Sequence, residues 1–228
     1  LKVLVTTSGF GDIHTLKSVW VEQKIDGFEV DFKRFDDTNY PSRINSMHPR
    51  LKGKIFKMLA WEEFPGYDYY IWMDSTFHMI KSKAVEYAIK SIGNADICLF
   101  RHPERTNLKD EVDYVTARLQ WNDPYISARY GGERIIEQYD SYTNDPDFIG
   151  DELFAAGCFI YHKRLVENKD YNLLKEWFYH NCIWSVQDQI SLPYLISKFD
   201  VKHNLFDTGV YNNPYFQFDM KLYSAQQQ

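Results

Sequence analysis

An excess of positive charge is missing from this chain. Lys and Arg number 26 against 32 Asp and Glu, giving a net charge of −6. That balance leaves no footprint for nucleic acid. Cysteine is scarce too: Cys98, Cys158 and Cys182 stand far apart. They match no metal spacing, and at least one must stay unpaired, so a disulfide scaffold is excluded and a reducing, cytoplasmic compartment is expected. Secretory leader and membrane-length apolar run are both missing, so a soluble chain is expected. Internal repeats are missing, and low complexity is confined to the terminal Gln run. The chain also lacks an initiator Met, as a domain cut from a larger chain would.

What is present supports a core. Hydrophobic residues make up 44% of the 228, with 17 Tyr and 16 Phe. Such rings are core in most chains, and they also stack on sugar faces and bases. The organising stretch is Tyr67 to Thr76. Tyr69 to Met73 is too short for a helix and rich in strand formers, and it follows Pro65-Gly66. An unpaired carboxylate inside a buried strand is costly, so Asp74 is expected at the strand's carboxyl end. That edge binds ligands in open α/β sheets. There Asp74 can hold a divalent cation against a diphosphate, or serve as a helix cap ahead of Ser75 and Thr76.

The remainder alternates strand and helix. Strands are expected at Leu1–Thr6, around Phe28–Phe32, at Asp96–Phe100, within Leu153–His162 and at Val201–Asn204. Helices are expected over Thr15–Lys24, Leu51–Glu62, Lys83–Ser91, Lys109–Leu119 and Leu173–His180, and from Asp188 onward. This pattern predicts one α/β domain with a mainly parallel central sheet flanked by helices. Trp121 to Asp151 reads as helices joined by loops, able to cover a site.

Polar groups gather at the strand ends. Thr6, Thr7 and Ser8 precede Gly9-Phe10-Gly11-Asp12, which suits a nucleotide-contacting turn or an ordinary loop, and lacks the third glycine of a dinucleotide fingerprint. Asp36 and Asp37 end the second strand, where they can accept from a base or ribose or brace their own turn. Lys54 and Lys57 share a helix face and can meet a phosphate or only solvent. His102 and Arg105 stand after the fourth strand and can face an acceptor or a phosphate. Gly157 leaves room for a ligand or for close packing. Asp188 opens a helix, where the dipole favours it with or without a ligand.

Several of these anchors resemble GT-A (Rossmann-like) glycosyltransferases. The chain looks most like the hexosyltransferase-like family named for plant mucilage and pollen-turgor proteins, which has bacterial and viral relatives. The resemblance rests on Gly9-Phe10-Gly11-Asp12, Lys54 to Leu59 leading to Phe64-Pro65, and Tyr69 to Asp74. It continues with His102 to Arg105 followed by Glu111, Ala156 to Phe159, and Asp188 to Ser191. It implies a single domain over residues 1–228, with a nucleotide-binding half (1–100) and an acceptor or catalytic half (101–228). It implies a nucleotide-sugar donor, with uridine diphosphate as the expected carrier, and a glycan or other hydroxyl acceptor. Thr6, Thr7, Asp36, Asp37, Lys54, Lys57, Asp74 and Ser75 would bind the donor, and His102, Arg105 and Gly157 the acceptor. Mn²⁺ or Mg²⁺ would bridge the diphosphate through Asp74. Thr76 stands where such enzymes often carry a second Asp, and His203 is the candidate second ligand by order in the chain. Asp188, then Asp151, would deprotonate the acceptor hydroxyl or hold donor hydroxyls. The rivals are a non-catalytic sugar-binding module and a nucleotidyltransferase. The second would want an Arg in the first loop. A haloacid-type phosphatase needs an acid at Thr76.

Overall fold

The computed structural model describes residues 1–11, 18–40, 47–148, 152–168 and 170–220. Strands β1 (Lys2–Gly9) and β2 (Glu29–Asp36) open the chain. Helix α1 (Pro49–Met58) follows, with proline in its first turn, where no backbone N–H is needed, and His48 Nδ1 capping the Arg50 N–H at 3.2 Å. After the short α2 (Ala60–Glu63) come β3 (Tyr69–Met73), β4 (Phe77–Met79), α3 (Ala84–Ile92) and β5 (Ile97–Arg101). Helices α4 (Leu108–Gln120), α5 (Pro124–Tyr130) and α6 (Ile135–Thr143) form one run, the first two capped by Asn107 and Asp123. The long β6 (Phe154–His162) leads through α7 (Arg164–Glu167) to α8 (Leu173–Ile183) and α9 (Asp188–Lys198). Short strands β7 (His203–Leu205) and β8 (Phe216–Phe218) end the described chain.

Six strands form the central sheet in the order β2-β1-β3-β6-β5-β7. All run parallel except β6, which is antiparallel to both its neighbours. The single α/β domain with a mostly parallel sheet is therefore as expected. Period-two alternation sorts the strands onto two faces. Leu4, Tyr70, Trp72, Leu99 and Phe159 pack with Phe56 of α1, Val112 of α4, Trp177 of α8 and Ile190 of α9. Val5, Ile71, Met73, Cys98 and Cys158 pack with Val85 and Ala88 of α3 and with Phe77 and Phe216 of the β4–β8 pair. The three cysteines are free, two of them buried in this second layer.

Two local expectations fail. Strand β1 runs on to Gly9, three residues beyond the predicted end. Ser8 and Gly9 still find ladder partners in Phe35 and Asp36. The helix expected over Thr15–Lys24 does not form across its described part. Trp20 bridges Met79, the Val21 N–H donates to Met79 O at 2.9 Å, and the Trp20 ring stacks on Phe32 at 5.0 Å. Packing against β2 and β4 outweighs a weak helical pattern here. Residues 12–17 lie outside the described part.

Candidate functional site

Strand β3 ends at Met73, so Asp74 emerges at the carboxyl edge of the sheet, as predicted. The Asp74 N–H donates to Gly157 O at 2.7 Å, across to β6. The Trp72 indole N–H donates to Asp74 Oδ1 at 2.7 Å, which fixes the carboxylate. Gly157 lies directly beneath it: a Cβ there would stand 3.1 Å from Asp74 Oδ2 and 2.8 Å from Phe77 Cε2. The absence of a side chain at 157 is what lets the carboxylate lie over β6.

Lys54 and Lys57, one turn apart on α1, reach the same place, as their shared helix face predicts. Asp188 meets them from the first turn of α9. Lys57 Nζ donates to Asp188 Oδ2 at 2.6 Å and stands 3.6 Å from Asp74 Oδ1. Lys54 Nζ donates to the same Asp188 oxygen. The Asp188 side chain is only 9% exposed. Burial alone would push its carboxyl pKa up, but the two ammonium groups outweigh that and hold it below the usual range. Burial and the Lys57 charge pull the Lys54 ammonium down to about 8 despite Asp188. Lys57 is also buried, yet Asp188 and Asp74 together keep its pKa above the ordinary value. Asp188 Oδ1 is buried and accepts no hydrogen bond. A buried carboxylate oxygen left open is costly, and it marks where a donor group from a ligand would be welcome.

Asp188 lines a cavity of about 180 Å³ together with Ser8, Phe10, Lys54, Lys57, Asp74 and Ser75, and with Arg50 and Arg129. The two arginines were not anticipated. Arg50 sits in the first turn of α1 and Arg129 near the end of α5. No local motif marks them, because they stand on separate helices that only the tertiary fold brings to one cavity. Burial, then the charge of Arg129, lowers the Arg50 pKa. Among the described residues no carboxylate lies within ion-pair distance of Arg50.

A second cavity of about 500 Å³ adjoins the first. Asp74, Thr76, Arg129, Tyr130, Gln187 and Gln189 line both. His102, Arg105 and Gly157 line the larger one, so all three candidate acceptor residues are gathered there. His102 Nδ1 accepts the N–H groups of Glu104 and Arg105 at 3.3 and 3.0 Å. Burial, helped by the Arg105 charge, lowers its pKa to about 4, so the ring is neutral at pH 7. Arg105 stacks on Tyr114, 4.0 Å from the ring centroid, and its Nε donates to the buried Glu111. Burial disfavours the Arg105 charge, but Glu111 outweighs it and raises the pKa. The other Glu111 oxygen accepts from Gln187 Nε2 at 2.5 Å, and Gln187 Oε1 accepts from the Tyr130 hydroxyl at 2.6 Å. Gln187 is the residue before Asp188, so this network ties the larger cavity to the head of α9. The expected cover from Trp121 to Asp151 takes the form of packed helices: Ile126 and Tyr130 are buried, and α5 forms a wall common to both cavities.

Other expectations are corrected. Thr6 is buried, and its hydroxyl donates to Phe56 O and Ile71 O at 3.3 and 3.4 Å. Thr7 is fully buried, with its hydroxyl on Ser18. Both lie inside β1 because the strand is longer than predicted, and Ser8 and Phe10 line the cavity instead. Asp36 accepts from the Thr38 N–H within its own turn. Asp37 accepts from the Gly11 N–H at 2.8 Å and from Lys52 at 2.6 Å, fastening the turn after β1 to α1. Neither aspartate lines either of these two cavities. Asp151 lies outside the described residues. His203 begins the edge strand β7, three places from β3 in the sheet, or roughly 14 Å at the usual strand spacing. Its Nε2 pairs with Glu152 at 2.8 Å, so the structure does not bring it to Asp74.

A divalent cation fits this site poorly. Among the described residues no group of three or more His, Cys, Asp and Glu could hold a metal ion. Asp74 is hydrogen-bonded by Trp72 and flanked by the Lys57 ammonium, and Asp188 is shared by two ammonium groups. The charge of both carboxylates is already matched, which leaves little attraction for a cation that binds through carboxylates and water.

A family model described as TOD1/MUCI70, glycosyltransferase-like domain, matches residues 42–219. The chain belongs to this family. The TOD1/MUCI70 match spans most of the chain and includes Asp74, Asp188, Lys54, Lys57, Arg50 and Arg129. It begins after β2, so Ser8, Phe10 and the whole first edge of the sheet are outside it. Among curated proteins no match is found. No helix of the described residues is long and apolar enough to cross a membrane.

Proposed function

We propose that this TOD1/MUCI70 domain moves a hexosyl or deoxyhexosyl group from a nucleotide-sugar donor, with a uridine diphosphate sugar the first choice, to a hydroxyl of a glycan or similar acceptor. The observation that carries this reading is Asp188. It is a buried carboxylate, held by two ammonium groups, in the wall of a cationic cavity that adjoins a larger cleft.

The chemistry follows from the arrangement. Glycosyl transfer breaks the bond between the anomeric carbon and a diphosphate oxygen, and the sugar passes through an oxocarbenium-like state. Negative charge grows on the leaving diphosphate. Arg50, Lys54 and Lys57 are placed to receive it and, being largely shielded from water, need little rearrangement to do so. The larger cleft would seat the acceptor against Arg105 and the stacked Tyr114. Asp188 has two conceivable roles. Two ammonium neighbours make it a weak proton acceptor. The same neighbours keep it ionised, and an ionised oxygen without a partner is suited to accept a donor-sugar hydroxyl. We therefore assign it to orienting the sugar. Asp74, at the junction, holds Lys57 and borders both ligands.

The experiment is turnover of a panel of nucleotide sugars by the wild type and by Asp188→Asn. The variant should bind the free nucleoside diphosphate normally and lose about a hundredfold or more in turnover. If its turnover stays within a few-fold of wild type, the assignment is wrong. A chain that binds donors but turns none over would instead be a sugar-nucleotide-binding module.

A further inference from the structure

The donor cavity carries its own cations. Lys54 and Lys57 are matched by Asp188 and Asp74. Arg50 is not matched: its guanidinium lies in the same wall, with no carboxylate partner among the described residues, and Arg129 lines the cavity beside it. A diester diphosphate, as in a nucleotide sugar, carries two negative charges, and the Arg50 guanidinium offers it a cation that no carboxylate among the described residues holds. A divalent cation added to the same space would stand beside the Lys57 ammonium, with one partly engaged carboxylate, Asp74, to hold it. Planar guanidinium groups also match phosphate geometry with two parallel hydrogen bonds, which an aqueous ion does not provide.

We propose that this site binds the diphosphate of its donor on ammonium and guanidinium groups alone, with Arg50 as a principal phosphate ligand, and that donor binding needs no divalent cation. The inference rests on the cavity being the donor site. Lys57 then acts twice. Its charge offsets the repulsion between Asp74 and Asp188, and its remaining proton is presented to the phosphate. Arg50 stands on the first turn of α1, two turns before Lys57, so a single helix lays a cationic strip along the diphosphate. Its placement is set by Pro49 and the His48 cap, which fix where α1 begins.

Calorimetric titration of uridine diphosphate into the full chain, once with EDTA and once with Mn²⁺, tests this. Guanosine and adenosine diphosphates serve as further probes. The expected result is a Kd that differs by less than about threefold between the two conditions, and a Kd for Arg50→Gln weaker by about tenfold or more in both. Because Arg50→Gln can also disturb the start of α1, its melting temperature is measured alongside, and Arg50→Lys, which retains the charge but not the fork, should fall between. A wild-type Kd that improves about tenfold or more with Mn²⁺ overturns the proposal and leaves the donor reading standing. Unchanged binding by a folded Arg50→Gln overturns Arg50's role. Failure of the wild type to bind any nucleoside diphosphate overturns both this proposal and the donor reading.

Discussion

At the scale of single residues, the site depends on close contacts that tolerate little. Gly157 is the sharpest case. A methyl group there would meet Phe77 at 2.8 Å and the Asp74 carboxylate at 3.1 Å. Gly157→Ala should therefore cost about 1–3 kcal/mol of stability, the usual range for overpacking, and swing Asp74 off the Trp72 indole. Thermal unfolding and nucleotide titration of the variant check this together. Unchanged melting and binding would mean that Asp74 is free to move. The sequence shows part of this and hides part. A lone Asp after an aromatic strand is visible, and so are two lysines on one helix face. The small residue at 157 is visible too, but not its reason, which is a cross-strand neighbour some eighty positions earlier. Thr6 and Thr7 misled because hydroxyl residues near glycines look like the end of a strand. Their backbone instead continues the ladder, and the hydroxyls turn inward to carbonyls and Ser18.

At the scale of elements, the head of α9 is held from two sides. Lysines of α1 grip Asp188, and Glu111 of α4 grips Gln187. Glu111 also fixes the orientation of Arg105 in the larger cleft. A carboxylate can only accept, so it forces the Gln187 amide to present its N–H there and its oxygen to Tyr130. Glu111→Gln removes that constraint and leaves the Arg105 charge without its buried partner. The expected loss is about 3–5 kcal/mol in stability, as for breaking a buried ion pair. Urea unfolding measures it, and a loss below about 1 kcal/mol would show that the network is idle. The elements themselves were largely readable from periodicity, caps and prolines. The three-residue strands β4 and β8 were not, because so short a run has no period of its own and gains its place only by pairing with its partner. Arg50, Arg129 and Tyr130 escaped for a related reason: they come from α1 and α5 and line one cavity only in the folded chain.

At the scale of the whole molecule, one six-stranded sheet serves both cavities, and β6, from the second half of the chain, lies between β3 and β5. The fold therefore stabilises the site as a unit, and pH should act on both through half-buried histidines. His180 bonds to the Tyr142 hydroxyl through Nδ1, and burial, then the Lys198 charge, lowers its pKa from 6.5 to about 4. The unfolded chain takes up that proton first. Its contribution to stability is thus present above pH 6.5 and is lost as pH falls from 6.5 towards 4. His102 behaves in the same sense over the same window. Melting temperatures of the wild type should fall between pH 6.5 and about 4, and His180→Gln should show a shallower fall; parallel curves would refute this.

The central claim, that the smaller cavity is where a donor's diphosphate is held, is tested most directly by a structure of the full chain crystallised with uridine diphosphate. The account predicts phosphate oxygens within about 3 Å of the Arg50 guanidinium and of Lys54 or Lys57, with the terminal phosphate towards Asp74 and the larger cleft. Phosphates bound in the larger cleft on Arg105 and Arg118, with the smaller cavity holding only solvent, would contradict it.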